Sequence, residues 1–263
     1  MSDYTRDEVS ACYIASQMRN GDRCFVGANL AVPRAGNLLA NLTHAPDLKI
    51  GIGLVRANLL NEPVLESTKF STDYRMARFA EGLIIHNDIF DDMRASSNVF
   101  FVGGLQIDRF GNTNLIGIGP DIDHLTLRGP GSLGTVSSAH YCDRYFLFTP
   151  AHTPRVLVEK CDFISVFGHG EGGDHRARLG LDQYNAGPTA LVTPLAILDF
   201  ETPDHRMRIQ SVHPGVSVEE VQAQTGFELE VTGEVPTTPE PTAEQLQLLR
   251  TRIDVDGLLR RKS

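Results

Sequence analysis

The sequence predicts an α/β fold built on a mostly parallel sheet, and three observations predict it. Arg23–Gly27 is a short apolar strand followed by a loop and then by Ala35, Leu38, Leu39 and Leu42 at helical spacing, a strand–loop–helix unit of the doubly wound kind. Val99–Val102 is an unbroken apolar run that ends in Gly103-Gly104, the signature of a buried strand entering a tight loop. Late in the chain Leu195–Leu198 and the alternating Met207, Ile209 and Ser211 flank a polar loop, which adds an antiparallel hairpin. Helices on both faces of the sheet give three layers.

Each element follows in order. Thr5-x-x-Glu8 is a capping box, and Val9, Cys12, Tyr13 and Ser16 continue a helix that Asn20-Gly21 ends. The loop Ala28–Pro33 separates the first strand from the second helix, which Ala45-Pro46-Asp47 closes before the short strand Leu48–Leu54. Asn61–Asp92 has no clear period, and His86 within it borders an apolar run, the usual setting of a structural histidine. Asp88–Ser97 is a short helix leading into Val99–Val102. Arg155–Val158 and Phe163–Phe167 are strands, and the second opens into Gly168–His175, a glycine-rich, flexible loop whose composition fits either closure over a ligand or a mobile surface excursion. Ser217-x-x-Glu220 caps a helix carrying Val218, Val221 and Gln222, closed by Gly226. Glu234–Pro241, with three prolines, is an extended linker, and Thr242 caps a last helix over 242–253 with Leu246, Leu249 and Ile253 in register. Residues 1–263 are expected to form a single domain.

Composition narrows the function. A formal charge of -9 without an internal Lys/Arg run argues against nucleic-acid and anionic-membrane partners. No apolar run approaches the roughly 20 residues of a membrane span, and MSDYTRDEV lacks the layout of a signal peptide, so a cytoplasmic location is expected. Cys12, Cys24, Cys142 and Cys161 are far apart with no CxxC pair, and the histidines show no HxH or HExxH spacing. The cysteines are expected to be small buried hydrophobes, and no metal site is expected.

GGLQIDRFGNTN, Gly103–Asn114, resembles the G-G-x-Q-[IV]-D-x-[YF]-G-N-x-N segment of family I CoA-transferases, specifically the β subunit of the glutaconate CoA-transferase type. Matches continue in order at Val26–Pro33, Ala45–Asp47, Gly129–Gly134, Arg178–Leu181 and His213–Phe227. The resemblance implies the CoA-transferase fold and an α chain of the same family as partner, in an α2β2 assembly. It also implies an acyl-CoA thioester as substrate, lying between the two chains, with coenzyme A as part of the substrate and no covalently bound cofactor.

Site residues follow by the same resemblance. Gly27 and Asn29 match the V-G-x-G-x-P loop, with Asn29 in place of the second glycine. Gly131 and Gly134, with Ser132 in place of a glycine, match a glycine-rich segment whose backbone N–H groups face a developing oxyanion. Arg176 and Arg178 match G-G-R-x-R-L-G, a pattern compatible with contact to a carboxylate or to CoA phosphates. Gln106, Asp108, Asn112 and Asn114 either orient substrate or satisfy the amides of their own loop; side-chain type alone leaves both open.

The departure from the family lies at Gly51. The segment Leu48–Leu54 resembles x-[IV]-x-E-S-G-L, whose glutamate attacks the thioester, but Gly51 and Ile52 replace the glutamate and serine. Covalent catalysis needs a nucleophile, and glycine has no side chain. Asp47, Glu62 and Glu66 are each at least four residues away, roughly 13 Å along an extended segment. A decarboxylase branch of the family carries cysteine there, and glycine does not supply that chemistry either. The resemblance therefore points to the branch that lacks the glutamate, the cholesterol ring-cleaving hydrolases, in which a glutamate of the α chain is the base. The expectation is hydrolytic cleavage of a carbon–carbon bond in a cyclic acyl-CoA, with room at Gly51 for a bulky ring or a water. A transferase with a displaced nucleophile and a noncatalytic CoA-binding subunit are the alternatives.

Overall fold

A computed structural model describes residues 3–27, 30–52, 55–56, 82–83, 97–132 and 134–261. They fall into two compact units, residues 1–101 with 239–263, and residues 102–238. The expected helix at Asp88–Ser97 lies almost wholly outside the described residues, as do His86, Glu62 and Glu66.

In the first unit, helix α1 (Arg6–Gln17) starts with the capping box read from the sequence. Thr5 Oγ1 accepts the Glu8 N–H at 3.2 Å, and the Thr5 N–H donates to Glu8 Oε2 at 2.9 Å. Strand β1 (Arg23–Val26) leads to α2 (Ala31–Leu42), which begins earlier than the expected loop Ala28–Pro33 allowed. Pro33 sits in the first turn, where its missing N–H costs no helical bond, so the helix includes it. Strands β2 (Lys49–Ile52), β3 (Val55–Arg56), β4 (Gly82–Leu83) and β5 (Val99–Val102) complete the sheet, in the order β5-β1-β2-β3-β4. β1 pairs in parallel with β2 and β5, and the short β3 and β4 continue antiparallel at the edge.

α1 packs on α2 at Gly36, where a Cβ would lie 2.6 Å from Ile14 Cγ2 and 2.7 Å from the Ala11 carbonyl oxygen. Only glycine permits that approach. The C-terminal helix Ala243–Leu248, capped by Thr242 and continued by a π turn over Leu249–Ile253, returns to this unit. Arg250 Nε donates to the buried Glu8 Oε1 at 2.8 Å, joining the two ends of the chain.

In the second unit the strands are β6 (Gln106–Asp108), β7 (Thr113–Asn114), β8 (Gly117–Ile118), β9 (Leu127–Arg128), β10 (Arg144–Phe148), β11 (Leu157–Val158), β12 (Pro188–Val192), β13 (Ala196–Asp199) and β14 (Arg208–Val212). The helices are α3 (Thr135–Tyr141), α4 (His175–Arg178) and α5 (Val218–Ala223). β10 and β12 pair in parallel, and β13 and β14 follow antiparallel, so the expected hairpin is β13–β14. Tyr145, Phe146, Leu147, Leu191, Ile197 and Leu198 from these strands are fully buried and form the core of the unit. β6 is the middle strand of a small sheet with β11 and β7, and β8–β9 is a separate hairpin.

Two expected strands shrink. Arg155–Val158 reduces to Leu157–Val158 because the Val156 and Leu157 N–H groups both turn back to the Thr153 carbonyl, at 3.0 and 2.9 Å. Phe163–Phe167 contributes one bridge, Val166 to Thr113, since the Ser165 and Val166 N–H groups share the same Thr113 carbonyl. The linker 234–241 is not free: the Thr238 N–H donates to the Val212 carbonyl at 2.7 Å and the Val212 N–H to Pro236 at 3.0 Å, extending the β14 edge. The α/β class stands as expected, with parallel central strands and antiparallel additions. All four cysteines are buried with free thiols, and burial pushes the Cys12 and Cys142 thiols up to about 12. No described helix is long and apolar enough to cross a membrane.

Candidate functional site

In the first unit the parallel strands β1 and β2 end side by side, with Val26 paired to Ile52. Gly27 closes β1 at this end, while Asn29 lies outside the described residues. Gly51 pairs with Phe25, and a Cβ at position 51 would lie 2.9 Å from Phe25 Cδ2 and 3.6 Å from the Cys24 carbonyl oxygen. That geometry corrects one expectation: the space beside Gly51 is filled by the Phe25 ring and is not room for a ring or a water.

Arg34, in the second turn of α2, is a functional candidate that no motif in the sequence singles out. Its side chain is completely buried, and among the described residues Nε, Nη1 and Nη2 have no hydrogen-bond partner. Burial alone brings the guanidinium down to about 9, so it remains protonated at neutral pH. The one signal in the sequence is that Arg34 is the only Asp, Glu, Lys or Arg between Arg23 and Asp47.

In the second unit, the loop of the GGLQIDRFGNTN segment is held by its own side chains. Asp108 Oδ1 accepts the N–H groups of Phe110 and Asn112 at 3.0 and 3.1 Å. Asn112 Nδ2 donates to Asp108 Oδ2 at 2.9 Å and to the Gly170 carbonyl at 2.7 Å, while its Oδ1 accepts the Gly168 and Gly170 N–H groups at 2.9 and 3.1 Å. Gln106 Oε1 accepts from Asn114 Nδ2 at 2.7 Å, and Asn114 Oδ1 accepts the Ile116 N–H at 2.9 Å. All four residues are buried. Of the two readings left open for Gln106, Asp108, Asn112 and Asn114, the geometry favours the structural one, because these groups satisfy amides that would otherwise be orphaned. Burial raises the Asp108 carboxyl above its usual range, against the hydrogen bonds that lower it.

The same network corrects the reading of Gly168–His175 as a closing loop. Gly168 and Gly170 are anchored on Asn112, the His169 N–H donates to Phe110 at 2.9 Å, and Gly168, His169 and Gly170 are buried. Among the described residues neither ring nitrogen of His169 is hydrogen-bonded, and the ring stacks on His205 at 4.3 Å; burial, then the charges of His205 and Arg176, hold it down to about 3. A cavity of about 510 Å³ opens beside the loop, lined by Asp108, Phe110, Phe167 and His175 and by Arg109, which pairs with Glu159.

The glycine-rich segment divides. The Gly131 N–H donates to the Leu115 carbonyl at 2.9 Å. Gly134 is the N-cap of α3 with φ 75°, and its carbonyl accepts the Ser138 N–H at 3.0 Å. Ser132 is half-buried, its carbonyl accepting the Thr135 N–H at 2.8 Å. Arg176 is buried and donates to the carbonyls of Gly168 and Asn185 at 2.9 and 3.2 Å and to Asn185 Oδ1 at 2.6 Å, so its fork is fully used within the fold. Arg178 is exposed and pairs with Asp174 at 3.1 Å. Neither arginine presents a free, enclosed guanidinium to a ligand.

The sequence profile of the Coenzyme A transferase family matches residues 10–224. The chain is 32% identical over 252 residues to the β subunit of the 3-oxoadipate CoA-transferase of Pseudomonas knackmussii, covering 95% of this chain and 94% of the relative. It is 29% identical over 256 residues to the cholesterol ring-cleaving hydrolase IpdB subunit of Mycobacterium bovis, covering 97% and 96%. Among solved structures, glutaconate coenzyme A-transferase from Acidaminococcus fermentans matches with a TM-score of 0.84 at 29% identity over 99% of both chains. Rhodococcus jostii RHA1 IpdAB matches with a TM-score of 0.81 at 26% identity over 98% of both.

Proposed function

The chain belongs to the coenzyme A transferase family, as a β subunit, and from that membership we propose that it works in a heteromeric enzyme that hydrolyses a carbon–carbon bond of a cyclic acyl-CoA. One observation carries the choice of hydrolysis over transfer. Residue 51, where the resemblance expects the attacking glutamate, is a glycine packed against Phe25. Without a nucleophile at position 51, water is the remaining attacking group in this reading. The similarity to cholesterol ring-cleaving hydrolase subunits supports a ring-bearing substrate, and the likeness to IpdAB, a complex of two kinds of chain, supports an α partner.

In this reading a carboxylate of the α chain removes a proton from water. The oxygen bonds to one carbonyl carbon of a ring β-diketone, and the adduct expels the carbon between the two carbonyls. The second carbonyl holds the electron pair as an enolate, which takes the proton back. One water is added and one carbon–carbon bond is broken. Coenzyme A enters and leaves as part of the substrate. By the family resemblance, the backbone N–H of Gly134 at the N-cap of α3 is the donor assigned to the developing oxyanion.

The test uses the purified pair of this chain with its α partner. In H2(18)O a cyclic β-diketone acyl-CoA is expected to yield a ring-opened acid carrying one label, with no exchange of CoA onto free acids. A CoA adduct trapped by borohydride or hydroxylamine and mapped to this chain would overturn the reading. The second reading, a transferase with a displaced nucleophile, is favoured by the 32% identity to the 3-oxoadipate CoA-transferase β subunit, and the same trapping experiment detects it.

A further inference from the structure

Helix α3 is short and thinly packed. Of its seven residues only Ser138 and Ala139 are buried, while Val136 and Tyr141 are exposed, and its N-cap Gly134 has no side chain with which to cap it. Helices in folded proteins owe most of their stability to an apolar face packed on a neighbour. α3 buries too little for that, and polar contacts hold it instead.

At its C-terminal end the hold is Asn185. Asn185 Nδ2 donates to the carbonyls of Ala139, His140 and Cys142 at 2.8, 3.1 and 3.0 Å, groups that the end of a helix leaves without an intrahelical partner. A second residue orients that amide. Arg176 Nη2 donates to Asn185 Oδ1 at 2.6 Å and Arg176 Nε to the Asn185 carbonyl at 3.2 Å, and the Gly187 N–H donates to the same Oδ1 at 3.0 Å. With its oxygen taken by two donors, Asn185 presents only Nδ2 to α3. Both residues are buried, and the ring of Tyr184 lies 4.1 Å from that of His140 on the helix. Arg176 Nη1 is itself anchored on the Gly168 carbonyl at 2.9 Å, in the loop that Asn112 fixes. Before the helix, the Gly131 N–H is tied to the Leu115 carbonyl at 2.9 Å and the Thr135 N–H returns to the Ser132 carbonyl at 2.8 Å. Gly134 therefore sits between two fixed points, and the one behind it is the Arg176–Asn185 pair.

Resting on the reading of this chain as part of an acyl-CoA hydrolase in which the Gly134 N–H faces the oxyanion, we propose that Arg176 and Asn185 are positioning residues for that donor. They touch no substrate; they fix α3, and through it the place of the Gly134 N–H. Such a donor works because it is in place before charge develops, and a misplacement of about 1 Å can cost about a hundredfold in rate. An interaction made only in the transition state is lost from kcat and leaves KM unchanged.

Steady-state kinetics of the purified complex with the α partner test it, with 3-(2,6-dioxocyclohexyl)propanoyl-CoA as substrate and rates referred to folded protein. Asn185→Ala is expected to lower kcat about tenfold or more with KM within about twofold of wild type. Arg176→Lys keeps one donor and loses the fork, so it carries the test if the alanine variant does not fold, with kcat about threefold lower and KM again unchanged. Arg208→Gln breaks the ion pair with the buried Asp199 at 2.7 Å and controls for lost stability; its kcat should stay within about twofold of wild type. Amide hydrogen exchange reads the helix directly. The Ser138 and Cys142 N–H groups, bonded to the Gly134 and Ser138 carbonyls, should exchange faster in the Asn185 and Arg176 variants and not in Arg208→Gln. Unchanged kcat in both variants, or a loss matched by Arg208→Gln, would sink the proposal. A raised KM with kcat unchanged would also overturn it, assigning the pair to substrate binding. If the wild-type complex does not open the ring, the hydrolase reading fails and takes the proposal with it, whereas turnover insensitive to both variants removes only the positioning role.

Discussion

Phe25 stands opposite Gly51 in the parallel register of β1 and β2, and its ring Cδ2 lies 2.9 Å from the point that a Cβ on Gly51 would occupy. The missing side chain and the aromatic ring are therefore one packing unit. Gly51→Ala is expected to destabilise the protein by about 1–3 kcal/mol in chemical denaturation, because the added methyl must displace the ring. In a Phe25→Ala background the same substitution should cost about 1 kcal/mol less, since neighbours in contact couple. Additive costs would show that the ring does not confine position 51.

Asn112 joins the two loops that the glycine-rich stretches bring together, bonding Asp108, Gly168 and Gly170 at once. Asn112→Ala leaves a buried carboxylate short of a donor and two buried N–H groups without an acceptor. The expected loss is about 3 kcal/mol, far above a surface substitution. Urea unfolding of the variant against Arg178→Ala measures the contrast; the exposed Arg178–Asp174 pair at 3.1 Å should cost under about 1 kcal/mol.

How much of this was legible in the sequence depended on the range of the interaction. Thr5 and Glu8, three residues apart, announced their capping box, and the apolar run Val99–Val102 announced a strand that is buried at every position. Arg155–Val158 and Phe163–Phe167 had the composition of strands, but apolar content does not report which carbonyl an N–H reaches. The Thr153 and Thr113 carbonyls each took two donors and cut the ladders short. At the candidate site, Gly51 was visible as a departure from a motif, whereas the Phe25 ring that fills its space was not, because that contact crosses between strands. Arg176 and Arg178 looked alike in sequence. One proves to be clasped by Asn185 and the Gly168 carbonyl and the other lies on the surface, a difference set by where α4 docks.

His169 makes the fold acid-sensitive. Its ring, buried against His205 and Phe200, is held down to about 3 chiefly by burial, while in the unfolded chain it titrates near 6.5. A histidine whose folded value is lowered contributes stability that is complete above the unfolded value and is lost as pH falls toward the folded one. Between pH 6.5 and about 3 the unfolded state binds the extra proton, and His169 should account for up to about 1.4 kcal/mol of lost stability per pH unit in that window. His169→Leu is expected to flatten the stability profile below pH 6.5 by about this slope, whatever its cost at pH 7.5. An unchanged slope in denaturation measured at pH 7.5, 6, 5 and 4 would show that the ring does not carry the acid sensitivity.

Arg34 costs the fold stability. Among the described residues none of its three nitrogens has an acceptor, and the value of about 9 produced by burial means that the penalty is constant across pH 6–8. Methionine fills a similar volume without charge or donors, so Arg34→Met should raise the unfolding free energy of the ligand-free protein by about 1–3 kcal/mol. A variant of this type gains stability only where the native charge is unpaired; a residue held in a working ion pair loses about 3–5 kcal/mol when one partner is removed. The sign of the change in urea unfolding therefore distinguishes an unpaired buried charge from one satisfied within the fold.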